Sequence, residues 1–179
     1  MAEKRPRAMT ESAVREFVIS RVVNVSRELL WKAFTEPECM ARWWGPKGFT
    51  VRVSKMDLRP GGIYHYCLRS PDGSDMWGKF VYREIVKPER LILVNSFSDE
   101  QGNLTRHPLK PTWPLEMLST FTFVEQEGRT KFTVQWAPLN ATEEERKTFD
   151  AGHESMQQGW TGTLDQLAEY LALQSGGSR

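Results

Sequence analysis

The sequence lacks the features that identify several large classes of protein. Only two of its 179 residues are cysteines, Cys39 and Cys67, which is too few for a secreted scaffold held together by disulfides. Its formal net charge is +1, whereas a nucleic-acid-binding surface needs a clear excess of basic residues. No hydrophobic run is long enough to span a membrane. We therefore expect a cytoplasmic protein with no nucleic-acid partner and no membrane span.

The motifs of the common enzyme classes are missing as well. The three histidines, His65, His107 and His153, do not stand at the spacing of metal ligands, and no carboxylate falls where a zinc site would need one. The sequence has no glycine-rich phosphate loop, no nucleophile elbow and no dinucleotide fingerprint. It therefore predicts neither a metal site nor a cofactor.

Aromatic residues, by contrast, are abundant, with seven tryptophans and nine phenylalanines. A chain of this length fits one domain with a substantial core, and large rings must fill much of that core. The polar residues 1–14 hold the only basic cluster and are expected to form a flexible N-terminal tail. The Gly- and Ser-rich residues 174–179 are expected to form a flexible C-terminal tail. Residues 15–173 then constitute the single domain.

The first third of the chain predicts one strand and two short helices. Alternating apolar residues indicate a strand at residues 17–25. Ser26 is expected to cap a helix over residues 27–34. Pro37 is expected to open a second short helix, which ends at two adjacent tryptophans.

Six further strands are predicted between residues 49 and 138, because short alternating runs are separated by turns rich in Gly and Pro. Residues 99–114 are an exception, since three prolines and no periodicity predict a long loop. Thr142 and Glu145 form a capping box, which predicts a helix from there to about residue 173. The expected fold is therefore α+β: a seven-stranded curved antiparallel sheet around a long C-terminal helix, with two short helices after strand 1.

Three glycines fall inside the predicted last helix: Gly152, Gly159 and Gly162. Each costs a helix about 1 kcal/mol relative to alanine. They indicate a bend, a close approach of another group, or room for a ligand. The sequence leaves these explanations open.

Five short blocks of sequence, taken together, carry a family resemblance. They are Trp-Trp-Gly-Pro at residues 43–46, Arg-Pro-Gly-Gly at 59–62, a Pro-Asp-Gly turn at 71–73 before Trp-Gly-Lys-Phe at 77–80, Pro-Glu-Arg-Leu at 88–91, and Gly-Trp-Thr-Gly-Thr-Leu-Asp-Gln-Leu at 159–167. In this order they resemble the SRPBCC (START-like, helix-grip) superfamily, and within it the single-domain homologues of the activator of the heat-shock protein 90 ATPase. The resemblance implies a helix-grip fold, which commonly keeps an elongated cavity between the sheet and the last helix.

Large aromatic side chains are the expected wall of that cavity, so a small apolar or aromatic molecule is the expected partner. The same rings would otherwise form a dry core. The predicted ligand-binding residues are Trp43, Trp44, Tyr64, Tyr66, Trp77, Phe80, Phe121, Trp136, His153, Met156 and Trp160.

Two histidines are candidate catalytic residues. His65 alternates with two tyrosines in a predicted strand, so it points into the cavity if its face of the sheet is the concave one. His153 precedes Met156 by three residues, on the expected inner stripe of the last helix. An ordinary hydrogen-bonded histidine explains either pattern too. His107, in the long loop, is expected to be exposed.

Three functions remain open. The leading hypothesis is a binding protein for a small hydrophobic or aromatic ligand. The second is an enzyme of the cyclase, dehydratase or hydrolase kind, which requires that His65 or His153 faces the cavity. The third is a co-chaperone-like interaction protein. In the activator itself a separate N-terminal domain contributes to engaging the chaperone, and we expect this chain to have no room for one. A homodimer is neither predicted nor excluded.

Overall fold

A curved antiparallel sheet surrounds a long C-terminal helix in the computed structural model, which describes residues 16–177. The N-terminal tail predicted for residues 1–14 lies outside the described residues. The strands are β1 (Phe17–Val23), β2 (Thr50–Met56), β3 (Ile63–Arg69), β4 (Asp75–Val86), β5 (Arg90–Ser98), β6 (Leu104–Thr105), β7 (Glu116–Gln126) and β8 (Arg129–Leu139). The helices are α1 (Arg27–Thr35), α2 (Pro37–Trp43), α3 (Glu143–Ala151) and α4 (His153–Gly177).

The strand order across the sheet is β1-β8-β7-β5-β4-β3-β2, and all neighbouring strands are antiparallel. The remaining strand, β6, has two residues and pairs with the end of β5, inside the segment predicted to be a loop. The prediction of an α+β helix-grip fold is confirmed, with β6 as an added short strand. Among residues 16–177, no helix is long and apolar enough to cross a membrane.

Side-chain alternation decides which residues face the helix. In β7 the buried residues are Met117, Ser119, Phe121 and Phe123, and the residues between them are partly exposed. Because successive side chains of a strand point to opposite faces, these four mark the concave face of the sheet. The core and the candidate site both lie on this face.

The helices begin where their capping residues predict. The Ser26 hydroxyl accepts a hydrogen bond from the Leu29 N–H at 3.2 Å and so caps α1. Pro37 occupies the first turn of α2, where a missing N–H costs nothing. Thr142 and Glu145 make both hydrogen bonds of the predicted capping box at the start of α3.

The predicted single last helix is two helices, because Gly152 interrupts it. Its N–H bonds to the Phe149 carbonyl at 3.0 Å, which ends the α-helical ladder of α3. A Cβ at Gly152 would lie 3.0 Å from the Trp113 ring, so close packing also favours glycine here. α4 then continues to Gly177, past the predicted start of the C-terminal tail, since an established helix propagates more easily than it nucleates.

Phe34 in α1 occupies the centre of the core. It is 2% exposed, and its ring centroid lies 4.8 Å from that of Trp43, 5.5 Å from Phe121 and 4.6 Å from Phe132. These partners belong to α2, β7 and β8. One side chain therefore joins the two short helices to the sheet through aromatic contacts.

Two polar contacts fix α4 at its sides. Arg21 of β1 donates to the Asp165 carboxylate at 2.7 Å. Gln166 donates from Nε2 to the Gly45 carbonyl at 2.8 Å. Leu167, next to these residues, is fully buried. α4 is thus tied both to an edge strand and to the turn that follows α2.

The Gly62→Ala variant should be markedly less stable, because a Cβ at this position would lie 2.0 Å from the Asp57 carbonyl oxygen. The turn has little freedom to relax, since the Tyr82 N–H donates to the Gly62 carbonyl at 3.0 Å. We expect the free energy of unfolding to fall by about 1–3 kcal/mol, the usual cost of overpacking. Urea denaturation measures this change.

Gly162→Ala is the control, because a Cβ at this helical position meets no atom within 4 Å. Its free energy of unfolding should rise by up to about 1 kcal/mol, the difference in helix propensity. Equal stability of the two variants would contradict the steric account of the Arg-Pro-Gly-Gly turn.

Candidate functional site

A cavity of about 350 Å³ lies between the sheet and α4. This volume falls in the range of small-molecule pockets, about 300–1,000 Å³. Eight of the predicted ligand-binding residues border it: Trp44, Tyr66, Trp77, Phe80, Phe121, Trp136, Met156 and Trp160. That they bind a ligand stays a prediction.

The two adjacent tryptophans separate at the end of α2. Trp43 is 1% exposed and donates from Nε1 to the Ala33 carbonyl at 2.9 Å. It belongs to the core, and its predicted place in the cavity wall is wrong. Trp44 turns the other way and packs edge to face on Phe80 and Trp160, at centroid distances of 5.4 and 5.7 Å. Of these two neighbouring residues, only Trp44 borders the cavity.

Tyr66 and Gly78 are cross-strand neighbours in β3 and β4 and shape one part of the wall. A Cβ on Gly78 would lie 2.5 Å from the Tyr66 hydroxyl oxygen, so the glycine makes room for the phenol. Burial raises the pKa of Tyr66 to about 12, although the nearby Trp44 indole partly opposes this rise. The hydroxyl is therefore protonated at neutral pH.

Tyr64 shares the inner face with Tyr66 but lies deeper. Contrary to the prediction, it does not border the cavity. It is 0% exposed, and its ring stacks on that of Tyr66 at 4.9 Å. Burial raises the pKa of Tyr64 well above its usual value. Strand alternation puts Tyr64 and Tyr66 on the same face but contains no information on depth.

His65 lies on the outer face of the sheet, opposite the two tyrosines that flank it. Its Nε2–H donates to the Asp99 carbonyl at 3.1 Å, and its ring stacks on that of Trp77 at 4.9 Å. The predicted cavity base is therefore wrong. Trp77 borders the cavity from β4, yet its ring lies outside, between His65 and the Arg52 guanidinium 5.2 Å away.

His153 begins α4 and turns toward β1. Its ring packs edge to face on Phe17 and Phe149, at 5.9 and 5.3 Å. Its Nε2 lies 3.9 Å from an oxygen of Asp150. Met156, one turn further along α4, borders the cavity, whereas His153 packs against core residues. The predicted cavity position of His153 is therefore wrong as well.

The enzyme hypothesis therefore loses both of its candidate bases. The described wall of the cavity contains no Asp or Glu that could act in their place. Within residues 16–177, no three His, Cys, Asp or Glu side chains lie close enough together to hold a metal ion. Cys39 and Cys67 are free thiols, and burial raises the pKa of Cys67, which makes it less reactive.

His107 borders the cavity, although the sequence predicts that it is exposed. Its ring packs against Phe97 and Trp113, at centroid distances of 4.8 and 6.2 Å. Nδ1 accepts a hydrogen bond from the Leu109 N–H at 3.0 Å, so the proton of the neutral ring is on Nε2. The loop has no periodicity, and no sequence signal could have placed this side chain.

Lys110 also borders the cavity and is the only charged side chain in the described part of its wall. It is exposed, which places it at the mouth. Burial is the larger cause that lowers the pKa of His107, and the positive charge of Lys110 lowers it further. His107 is therefore neutral at pH 7.

The loop between β5 and β7 is tied to α3 and to the sheet. Arg106 donates to the carboxylate of Glu145, the buried residue of the α3 capping box. Hydrogen bonds from Arg106 and, to a smaller extent, from the Thr142 N–H hold the pKa of Glu145 below its usual range. On the sheet, Lys79 donates to the Gly102 carbonyl at 2.8 Å. These contacts hold the mouth of the cavity in place.

The sheet wall carries a small polar patch. The fully buried Ser119 hydroxyl donates a hydrogen bond to Oδ1 of Asn95. The NH2 group of Asn95 is left for a further partner. Beside Ser119 lies Trp136, whose buried Nε1 finds no hydrogen-bond partner among the described residues. Nε1 of Trp44 is buried too, and it lies next to the Tyr66 hydroxyl. Each unpaired donor costs about 1–3 kcal/mol.

The three glycines of the C-terminal helices have different explanations. Gly152 marks the bend and the close approach of Trp113. Gly159 is exposed and borders the cavity, and a Cβ there would meet nothing within 4 Å, so it lies at the open side of the wall. Gly162 has equal space but lies outside the cavity wall.

Comparison with known proteins gives one family and a group of similar structures. A family described as "Activator of Hsp90 ATPase homolog 1-like protein" matches residues 24–172. A crystal structure of a protein from Mycobacterium smegmatis is 22% identical, with a TM-score of 0.72, over 88% of this chain and 91% of that one. A solution structure from Arthrobacter aurescens is 22% identical, with a TM-score of 0.73, over 90% and 87%.

The AHSA1 protein from Silicibacter pomeroyi is 20% identical, with a TM-score of 0.67, over 89% of this chain and 99% of that one. At such identities these structures show the common fold. Among curated proteins, none matches the chain.

The pKa of His107 should lie below the ordinary value of about 6.5 and should rise in Lys110→Gln. The rise will be partial, because burial is the larger cause and remains. NMR titration of the imidazole signals, assigned with His107→Gln, measures both values.

The same shift links pH to stability. Since the folded pKa of His107 lies below the unfolded one, the unfolded chain binds this proton more readily. Lowering the pH through about 6.5 should therefore decrease the stability contributed by this residue. An ordinary or raised pKa of His107 would contradict its place in the cavity wall.

Proposed function

Because the chain belongs to the family of Activator of Hsp90 ATPase homolog 1-like proteins, we propose that it uses the helix-grip fold to bind a small apolar or aromatic molecule. The ligand lies in the cavity between the sheet and α4. The two free thiols, Cys39 and Cys67, suit a reducing compartment, and a cytoplasmic location is part of this proposal.

The size of the cavity is the observation that supports binding most strongly. The cavity opens at a mouth and measures about 350 Å³. Small-molecule sites are clefts or cavities of about 300–1,000 Å³, lined mostly by apolar and aromatic side chains with a few polar groups. This cavity has that size, and its wall has that composition.

The composition of the wall indicates what kind of molecule fits. Trp160 packs edge to face on Trp44 at 5.7 Å and on Trp136 at 5.6 Å. Such rings offer large apolar surfaces and ordered edges to a flat ligand. The few polar groups nearby, including Asn95 and Ser119, suit the fixing of one orientation more than catalysis, because no carboxylate accompanies them in the described wall.

The family match supports a co-chaperone role as a second candidate, since the family description names an activator of the Hsp90 ATPase. The test is the ATPase rate of that chaperone with and without this protein. A raised rate would support the second candidate, and an unchanged rate would remove it without affecting the binding proposal.

The cavity proposal predicts that Gly159→Leu weakens binding of N-phenyl-1-naphthylamine, an uncharged aromatic probe, at least about tenfold. The leucine would project from α4 at the cavity wall, where the glycine leaves space. A fluorescence titration gives the dissociation constants of the wild type and the variant.

Gly162→Leu is the matched control, since it adds the same side chain three residues away, outside the cavity wall. It should bind the probe like the wild type. Both variants should fold, because a Cβ at either position meets no atom within 4 Å and leucine favours a helix more than glycine does. Equal binding by both variants, or no binding by the wild type, would sink the proposal.

A further inference from the structure

The polar groups around the cavity are unbalanced in favour of hydrogen-bond donors. Its described wall contains no carboxylate, and its only charged side chain is Lys110. His107 adds an Nε2–H, because its Nδ1 already accepts the Leu109 N–H. A ligand that presents acceptors and negative charge would complement these groups, whereas a cation would meet Lys110 and find no counter-charge.

The tryptophans of the wall give the cavity a flat aromatic surface. The rings of Trp44 and Trp136 both pack on that of Trp160, at 5.7 and 5.6 Å. Their Nε1 atoms are buried within the wall. An aromatic ring of the ligand would pack against these side chains.

The charged group lies at a different level from the indoles. Lys110 is exposed at the mouth, on the loop that Arg106 ties to Glu145. Trp44 and Trp136 pack on Trp160 of α4 and are less exposed than Lys110. A ligand that satisfies both levels has an apolar body within the cavity and an acidic group at its mouth.

We propose that the ligand is an aromatic acid. Its ring system packs against the tryptophans of the wall, and its anionic group lies at the mouth beside Lys110. This inference rests on the proposed function, since it names the class of molecule that the same cavity takes.

Two probes with the same ring skeleton test whether an anionic group contributes to binding. 8-Anilinonaphthalene-1-sulfonate carries a sulfonate, and N-phenyl-1-naphthylamine does not. We expect the wild type to bind the sulfonate more tightly than the uncharged probe. Lys110→Met should lower the affinity for the sulfonate about twofold to fivefold, the range of an exposed ion pair. The affinity for the uncharged probe should not change. Added salt should reduce the preference for the sulfonate.

Lys131→Met is the matched control, because Lys131 is exposed on β8 and does not border the cavity. It should leave both affinities unchanged. Gly159→Leu should lower the affinity for both probes if the sulfonate binds in the cavity and not elsewhere on the surface.

The outcomes distinguish this inference from the proposed function. If both probes bind with equal affinity, or if Lys110→Met affects them equally, the ligand is not an acid, while the binding proposal stands. If neither probe binds the wild type, the proposed function fails and this inference fails with it. A sulfonate affinity that Lys131→Met reduces as much as Lys110→Met would also overturn the inference.

Discussion

The packing of Trp44 is the contact on which the rest of the site depends. Its ring meets Phe80 of the sheet at 5.4 Å and Trp160 of α4 at 5.7 Å, both edge to face. Rigid rings in this arrangement hold the sheet and the helix at a fixed separation. The next residue, Gly45, has φ +106°, which glycine adopts without strain, and its carbonyl accepts the Gln166 amide. The first and last sequence blocks of the family resemblance therefore meet at one corner.

Much of the fold could be predicted from the sequence, because its signals are local. Strand alternation, the Ser26 cap and the Thr142–Glu145 capping box each act within a few residues. The break at Gly152 could not be predicted in the same way. Gly152 packs closely against the Trp113 ring, which comes from a distant loop.

The candidate site was harder to predict, since it depends on which face and what depth a side chain reaches. Alternation put His65 opposite its neighbouring tyrosines but did not say which face was concave. Trp43 and Trp44 are adjacent and equally apolar, yet only Trp44 borders the cavity. His107 lies in a loop without periodicity and reaches the wall only because Phe97 and Trp113 surround it. Tertiary packing decided each of these positions.

NMR spectroscopy of protein labelled at the methionine methyl groups tests the central claim most directly. Met76, Met117 and Met156 border the cavity, whereas the fully buried Met40 and the half-buried Met56 do not. Addition of N-phenyl-1-naphthylamine should shift the first three methyl signals and leave the other two in place. Unchanged spectra, or shifts confined to Met40 and Met56, would contradict a ligand-binding cavity between the sheet and the C-terminal helix.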